Sequence, residues 1–166
     1  MILTGLEIRR RRDMGEIIIE PYDDAQRNPN SFNYRLGERL KIPNDDESGF
    51  IEITIPDEGY KIYPHTLYLG HTYEKLGSLN CAMSLIGRSS VGRLGLFLQV
   101  SANLGHTGSA HCWTLEIVST KPFILYPKMK IGQISFWENK GDISPYETGY
   151  TQYSTPQESK ISRGNP

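Results

Sequence analysis

Between residues 87 and 116 the chain gathers most of its capacity for chemistry. The stretch GRSSVGRLGL, which begins at Gly87, sets Arg88 and Arg93 around two hydroxyls and a second glycine. Guanidinium groups carry permanent charge and forked donors that match phosphate oxygens. Gly87 and Gly92 let the backbone come close to a ligand, and exposed N–H groups in such a turn form an anion nest. Ser89 and Ser90 add hydroxyls. Taken alone, an RSSxGR stretch reads more readily as a polar turn than as a phosphate site. Downstream, Glu116 follows Trp113, Thr114 and Leu115 in an otherwise apolar run. A carboxylate there is costly to bury unless it has a role or a partner. The alternative is a glutamate on the solvent face of an edge strand.

The elements that must position these residues are strands. Short β-rich runs recur at Glu16 to Glu20, Phe50 to Ile55, Tyr60 to Tyr63, Thr66 to Leu69, Ala82 to Ile86, Leu94 to Ser101, Cys112 to Val118, Phe123 to Tyr126 and Gln133 to Trp137. Turn residues separate most of them, which predicts an all-β sandwich or barrel. One helix is expected, over Thr4 to Met14, with Thr4 as its cap and Glu7 as the partner in a capping box. Arg9 to Arg12 on that helix read as a solvated face whose cations suit the C-terminal end of the dipole. Asn44 to Gly49 reads as an acidic turn, and the polar tail after Trp137 as either a frayed end or a segment that orders over a ligand.

The bulk properties narrow the classes of function. The 166 residues fit one domain with a real core, and 37 % hydrophobic with 22 % charged residues is ordinary for a globular protein. A formal net charge of -1 gives no global field toward nucleic acid or a membrane surface, so an anionic ligand needs a local cluster of donors. No apolar run reaches membrane-spanning length, and the basic residues follow the short N-terminal apolar stretch, the reverse of a secretory leader. Cys81 and Cys112 read as reduced thiols, which favours a cytoplasmic setting.

Five segments in the same order carry a more specific resemblance. GRSSVGRLGL resembles the GRSSxxRLGL motif of the dCTP deaminase family, within the dCTP deaminase/dUTPase superfamily. WTLEI, at 113 to 117, is similar to that family's TLE segment, NSFNYRLG (30 to 37) to SxDLRLG, LYLGHTYEKL (67 to 76) to the LGxTxE strand, and PKMKIGQISFWE (127 to 138) to PGxxIGQxxF. The resemblance implies a compact, distorted β-barrel or jelly-roll-like fold of the dUTPase type with a short N-terminal helix, assembled as a homotrimer with active sites between subunits. It divides the chain into a β domain over 1–138 and a C-terminal tail or lid over 139–166. It implies deamination of a cytosine nucleotide without zinc. The HxE…PCxxC signature of zinc deaminases is absent, and His106, His111, Cys112 and Cys81 match no standard zinc spacing.

The same resemblance assigns roles. Glu116 would shuttle protons among water, ring N3 and the leaving amine. Ser89 would place the water or the 4-amino group, Arg93 would orient Glu116 or stabilise developing charge, and the carbonyl of Ala102 would hold the water. Arg88, Ser90, Val91 and Gly92 would line the triphosphate site, with magnesium held by the phosphates rather than by a protein cage. Thr114, Leu115 and Glu116 would frame the base through their backbone. His106 stands where the family has an Asp that contacts the sugar and, in dUTP-hydrolysing relatives, activates water. A neutral imidazole still hydrogen-bonds a hydroxyl but lacks the charge, so dUTP hydrolysis suffers more than deamination. Asn33 replaces another family Asp. Tyr146 and Gln157 fit the family's closing segment, GKYQGQxGPTPSR, whose Lys is missing here. A dUTP diphosphatase, a bifunctional enzyme, a deaminase of a modified cytosine nucleotide, and a nucleotide sensor without turnover stay open as alternatives.

Overall fold

A computed structural model describes residues 1–46, 49–99, 102–146 and 153–160. Helix α1 (Gly5–Asp13) opens on Thr4, whose hydroxyl accepts the Glu7 N–H at 3.3 Å. Only this half of the expected capping box forms, because the Glu7 carboxylate turns outward to Arg10 and Arg11. Gly15, at φ +78°, lets the chain leave the helix in the left-handed conformation that favours glycine.

Fourteen strands follow among the described residues: β1 (Ile17–Glu20), β2 (Phe32–Arg35), β3 (Arg39–Pro43), β4 (Phe50–Thr54), β5 (Tyr60–Ile62), β6 (Tyr68–His71), β7 (Lys75–Ser78) and β8 (Cys81–Gly87). After one helical turn, α2 (Ser89–Gly92), come β9 (Leu96–Leu98), β10 (Leu104–Gly105), β11 (Ala110–His111), β12 (Thr114–Ser119), β13 (Phe123–Leu125) and β14 (Lys130–Glu138). All pairings are antiparallel, in sheets of order β4-β3-β6-β12-β9, β10-β8-β14-β2, β1-β7-β11 and β13-β5.

Alternation builds the core. In β8 the side chains of Cys81, Met83 and Leu85 point inward, and in β14 those of Ile134 and Phe136 do the same. They join Leu40, Leu96, Leu98, Leu115 and Ile117 from the five-stranded sheet in one hydrophobic cluster. Each such side chain contributes roughly 1.5–3 kcal/mol relative to leaving it in water. The all-β expectation therefore holds, and the structure adds β2, β3, β7, β10 and β11, which the sequence patterns do not pick out. These five either alternate weakly or are too short to register a period.

Two further expectations change. The arginines of α1 are not simply a solvated face. Arg11 is mostly buried and bridges Glu7 to Glu138, Arg12 lies over the Tyr22 ring at 4.7 Å, and Arg9 reaches Asp24 at 3.8 Å. Of the predicted strand from Leu94 to Ser101, β9 takes Leu96–Leu98, with Gly95 (φ +86°) and Gln99 (φ +50°) turning the chain on either side, and residues 100 and 101 lie outside the described residues. The acidic turn closes through the Asn44 N–H to the Gly49 carbonyl at 3.0 Å, with Glu47 and Ser48 outside the described residues.

A buried charge ties several of these pieces together. Glu74 is fully buried and accepts from the Arg35 N–H at 2.8 Å, from Arg35 Nε at 2.6 Å and from Gln26 Nε2 at 3.1 Å. Thr72 Oγ1 donates to the Glu74 carbonyl at 2.7 Å and accepts the Trp113 N–H at 2.9 Å, which carries the network to the start of β12.

Close packing also explains a glycine. A Cβ on Gly132 would lie 2.0 Å from Cζ of Tyr34, a fully buried ring whose hydroxyl donates to the Ile86 carbonyl at 3.1 Å. Gly132→Ala is expected to destabilise the fold by about 1–3 kcal/mol through overpacking, read as a lowered urea midpoint at unchanged slope.

Candidate active site

The outer face of the five-stranded sheet carries a cleft of about 510 Å³. Its floor follows from strand register. Glu116 in β12 sits opposite Leu69 in β6, Leu69 sits opposite Lys41 in β3, and Lys41 sits opposite Glu52 in β4. Directly opposed residues point to one face, so these four side chains form a row across the sheet. In β12 burial alternates, with Leu115, Ile117 and Ser119 in the core and Thr114 and Glu116 toward the cleft.

Aromatic groups wall the floor. His111 packs on Trp113 with ring centroids 4.2 Å apart, and His106 packs on Tyr146 at 5.0 Å. His111 Nδ1 lies 3.0 Å from the Cys112 carbonyl, which can only accept, and burial pushes the His111 pKa below the ordinary imidazole value. Tyr146 is brought in by its N–H bond to the Thr107 carbonyl at 2.8 Å. A second hollow of about 410 Å³, lined by Ala82, Leu104, Asn139 and Pro145 among others, lies on the other side of the His106–Tyr146 pair.

The C-terminal segment covers the cleft. Pro156 is buried, the Gln157 N–H donates to Thr114 Oγ1 at 3.1 Å, and Glu158 pairs with Lys41 at 2.6 Å. Tyr153, Gln157, Glu158 and Ser159 line the cavity, and Lys160 lies over the Tyr153 ring at 5.0 Å. Residues 147–152 and 161–166 of the expected lid lie outside the described residues. Two carboxylates reach the cleft wall. Glu158 is held by Lys41, and Glu116 has no ion-pair or side-chain hydrogen-bond partner among the described residues.

The structure thus brings together Glu116, Thr114, His106, Tyr146 and Gln157 of the expected site. Leu115 differs. Its side chain is in the core and it pairs with Gly70 of β6, so its own amide groups serve the sheet ladder. Ala102 is exposed next to the cleft strand, and its carbonyl accepts from Gln99 Nε2 at 3.5 Å. Arg88, Ser89, Ser90, Val91, Gly92 and Arg93 are not on the cleft wall of their own chain. They form the α2 turn, with Val91 anchored in the core, Ser89, Ser90 and Arg93 exposed, and Arg88 reaching the Lys130 carbonyl at 3.4 Å. Among the described residues no group of three or more His, Cys, Asp and Glu is placed to hold a metal ion. Cys81 sits instead beside Arg11, at 3.6 Å, away from Cys112 at the cleft. Lys41, Leu69, Phe50, Tyr153, Glu158 and Gln99 are site residues that sequence reasoning missed. Only register and the path of the tail place them, and neither is a local sequence signal.

A carboxylate unpaired among the described residues, set between aromatic walls on an antiparallel β domain with a covering tail, defines a small-molecule site of the enzymatic kind. The comparisons say which kind. A profile of the dCTP deaminase-like family matches residues 2–139, and the chain belongs to that family. It is 41% identical over 161 residues to a dUMP-forming dCTP deaminase of Hathewaya histolytica, covering 93% of each chain. It is 39% identical to a dCTP deaminase of Rhodopirellula baltica, covering 89% of this chain and 76% of that one. A crystal structure of 2'-deoxycytidine 5'-triphosphate deaminase from Agrobacterium tumefaciens superposes with a TM-score of 0.68 at 22% identity, over 83% of this chain and 48% of that one, and shows the shared fold.

The latch on the tail is testable. Glu158→Gln removes the charge that meets Lys41 and is expected to speed amide hydrogen exchange at Gln157 by up to about fivefold, the factor set by a part-exposed ion pair of about 1 kcal/mol. Exchange at Gln157 equal to wild type would show that the pair does not hold the segment.

Proposed function

We propose that the protein is a dCTP deaminase that releases dUTP and ammonia. The observation that carries this reading is the Glu116 carboxylate on the wall of a cleft that Thr114 and Tyr146 also line, without an ion-pair or side-chain hydrogen-bond partner among the described residues. Hydrolytic deamination forms a C4–O bond to water and breaks the C4–N bond. Water gives up both protons in turn, one passing to N3 and the other to the departing amine, as the C4–OH of the tetrahedral adduct becomes C4=O and ammonia leaves. A single carboxylate facing C4 and N3 serves each transfer in turn. The Ala102 carbonyl accepts a hydrogen bond from the attacking water. Thr114 and Glu116 direct their amide groups away from β6, and the described part of β9 stops opposite Ile117, so the Thr114 backbone is left to meet the base edge.

The remaining parts come from a neighbouring subunit in this proposal. Ser89 and Arg93 are exposed on α2 and are flanked by the exposed apolar residues Ile86, Leu94 and Phe97. Such surface calls for cover, and a second copy in a homotrimer would supply it while bringing α2 to the partner's cleft. Arg88, Ser90, Val91 and Gly92 would then meet the triphosphate. Magnesium would arrive with the phosphates, consistent with a cleft that offers no set of three acidic or histidine ligands among the described residues. Residues 139–166 would act as the lid of the β domain, supported by the contacts of Gln157 and Glu158. Both cysteines are free, which suits the cytoplasm. No helix among the described residues is long and apolar enough to cross a membrane.

The product deserves its own measurement, because several relatives are named as dUMP-forming. In this chain His106 faces Tyr146, and Glu158, the other carboxylate of the cleft, is paired with Lys41. Among the described residues no unpaired carboxylate besides Glu116 lines the cleft to activate water at phosphorus, which supports dUTP as the end product in this proposal. Bifunctional action would appear as pyrophosphate released together with ammonia.

Glu116→Gln keeps size and most hydrogen bonds but removes proton transfer. Ammonia release from dCTP is expected to fall by at least about 10²-fold with nucleotide affinity far less changed. Near-normal turnover would remove Glu116 from the mechanism. Mixed assemblies test the shared site. Glu116→Gln chains and Arg93→Ala chains, each silent alone, should regain roughly a quarter of wild-type activity when refolded together in equal amounts, the statistical share of intact sites in a closed ring. Absence of rescue would place the whole site within one chain.

A further inference from the structure

The chain leaves the main sheet opposite the candidate catalytic carboxylate, and the way it leaves carries an inference. Strands β9 and β12 pair through Ser119–Leu96, Val118–Phe97 and Ile117–Leu98. The next rung of this ladder joins Gln99 to Glu116. One half of that rung is regular, since the Gln99 N–H donates to the Glu116 carbonyl at 3.3 Å. In a regular antiparallel pair the other half would run from the Glu116 N–H to the Gln99 main-chain carbonyl. Here Gln99 has φ +50°, in the left-handed region that residues other than glycine seldom occupy. The main chain turns out of the sheet, and the Gln99 side chain replaces the missing carbonyl. Its Oε1 accepts the Glu116 N–H at 2.8 Å.

The other end of the same carboxamide points to Ala102. Gln99 Nε2 donates to the Ala102 carbonyl at a long 3.5 Å. On its far side that loop is fixed to β8, where the Asn103 carbonyl accepts the Leu85 N–H at 2.9 Å and Asn103 Nδ2 donates to Ser84 Oγ at 3.1 Å. The Ala102 peptide is thus held between Asn103 and Gln99. A carboxamide is the neutral side-chain group that offers an acceptor and a donor on one rigid plane.

We infer that Gln99 is a positioning residue of the reaction, its carboxamide fixing the spacing between the Glu116 backbone and the Ala102 carbonyl. Carboxylate and water-holding carbonyl belong to different segments, and no continuous strand joins them among the described residues. Gln99 is the side chain that sets one against the other. This role rests on the deaminase reading above, because it assumes that Glu116 and the Ala102 carbonyl act on the same carbon and water.

The test uses the full chain with dCTP, follows ammonia release across pH, and includes Glu116→Gln as control. Gln99→Met matches the length of glutamine and carries neither the amide acceptor nor the donor. It is expected to lower kcat by about 10–100-fold, the loss that follows from small misplacement of reacting groups, with KM within about twofold of wild type. Gln99→Glu is isosteric and keeps the acceptor for the Glu116 N–H, but sets an anion against the Ala102 carbonyl. Its kcat relative to wild type should be low at about pH 8 and rise toward about pH 5, as the new carboxyl protonates and donates again. Wild-type kcat in Gln99→Met would overturn the inference while leaving the deaminase reading intact. A Gln99→Glu deficit that stays constant across pH would also overturn it, by making residue 99 structural only. Unimpaired turnover by Glu116→Gln would instead strike the deaminase reading itself, so the two failures are distinguishable.

Discussion

The fold is organised around a charge that water does not reach. Glu74 lies fully buried with Arg35 and Gln26 on its oxygens, and the ion pair joins the end of β2 to the turn between β6 and β7. Leaving one member of a buried pair without the other costs about 3–5 kcal/mol, so the segments that supply the partners are committed together. Arg35 also lies 4.8 Å over the Tyr73 ring, which fixes the guanidinium plane. From Glu74 the path runs through Thr72 to the Trp113 amide. The strand that carries Glu116 therefore starts from an anchored point, and its register against β6 is set before the cleft begins.

The cleft itself is a consequence of where ladders stop. Strand β12 is fully paired on its β6 side, while β9 covers only its C-terminal half. Beside Thr114 the described part of β9 offers no partner, and Gln99, which meets both backbone groups of Glu116, marks that boundary. On the opposite flank Lys41 and the tail residue Glu158 close the roof through charge, and Gln157 closes it through a backbone bond. The cleft is thus walled partly by sheet strands and partly by a returning tail segment.

Much of this was legible in the residues. The alternation of Cys81 to Leu85 and of Ile134 to Phe136 announces central strands, and Thr4 announces the helix start. The motifs around Ser89 and Glu116 identify the family. What the motifs do not show is that α2 and β12, close in sequence order, do not share a cleft in one chain. Strands such as β7, KLGS, escape detection because glycine and lysine interrupt their period, and the hydrogen-bond ladder supplies what the pattern lacks. Lys41, Leu69 and Glu158 become site residues through cross-strand register and chain return. Gln99 escapes for a related reason, since only a torsion angle shows that its side chain stands in for its backbone.

The burial pattern of β12 has a consequence for folding fidelity. Core and cleft alternate residue by residue from Thr114 to Ser119. A slip of one position against β6 would exchange the faces, driving Glu116 into the space of Leu115 and exposing Leu115 and Ile117 to water. Burying that carboxylate without a partner would cost several kcal/mol, on top of the apolar surface lost from the core. The group suited to chemistry in the native register is thus the group that penalises the nearest wrong one. A variant with leucine at 116 would lose the carboxylate and with it the penalty that keeps misaligned chains rare.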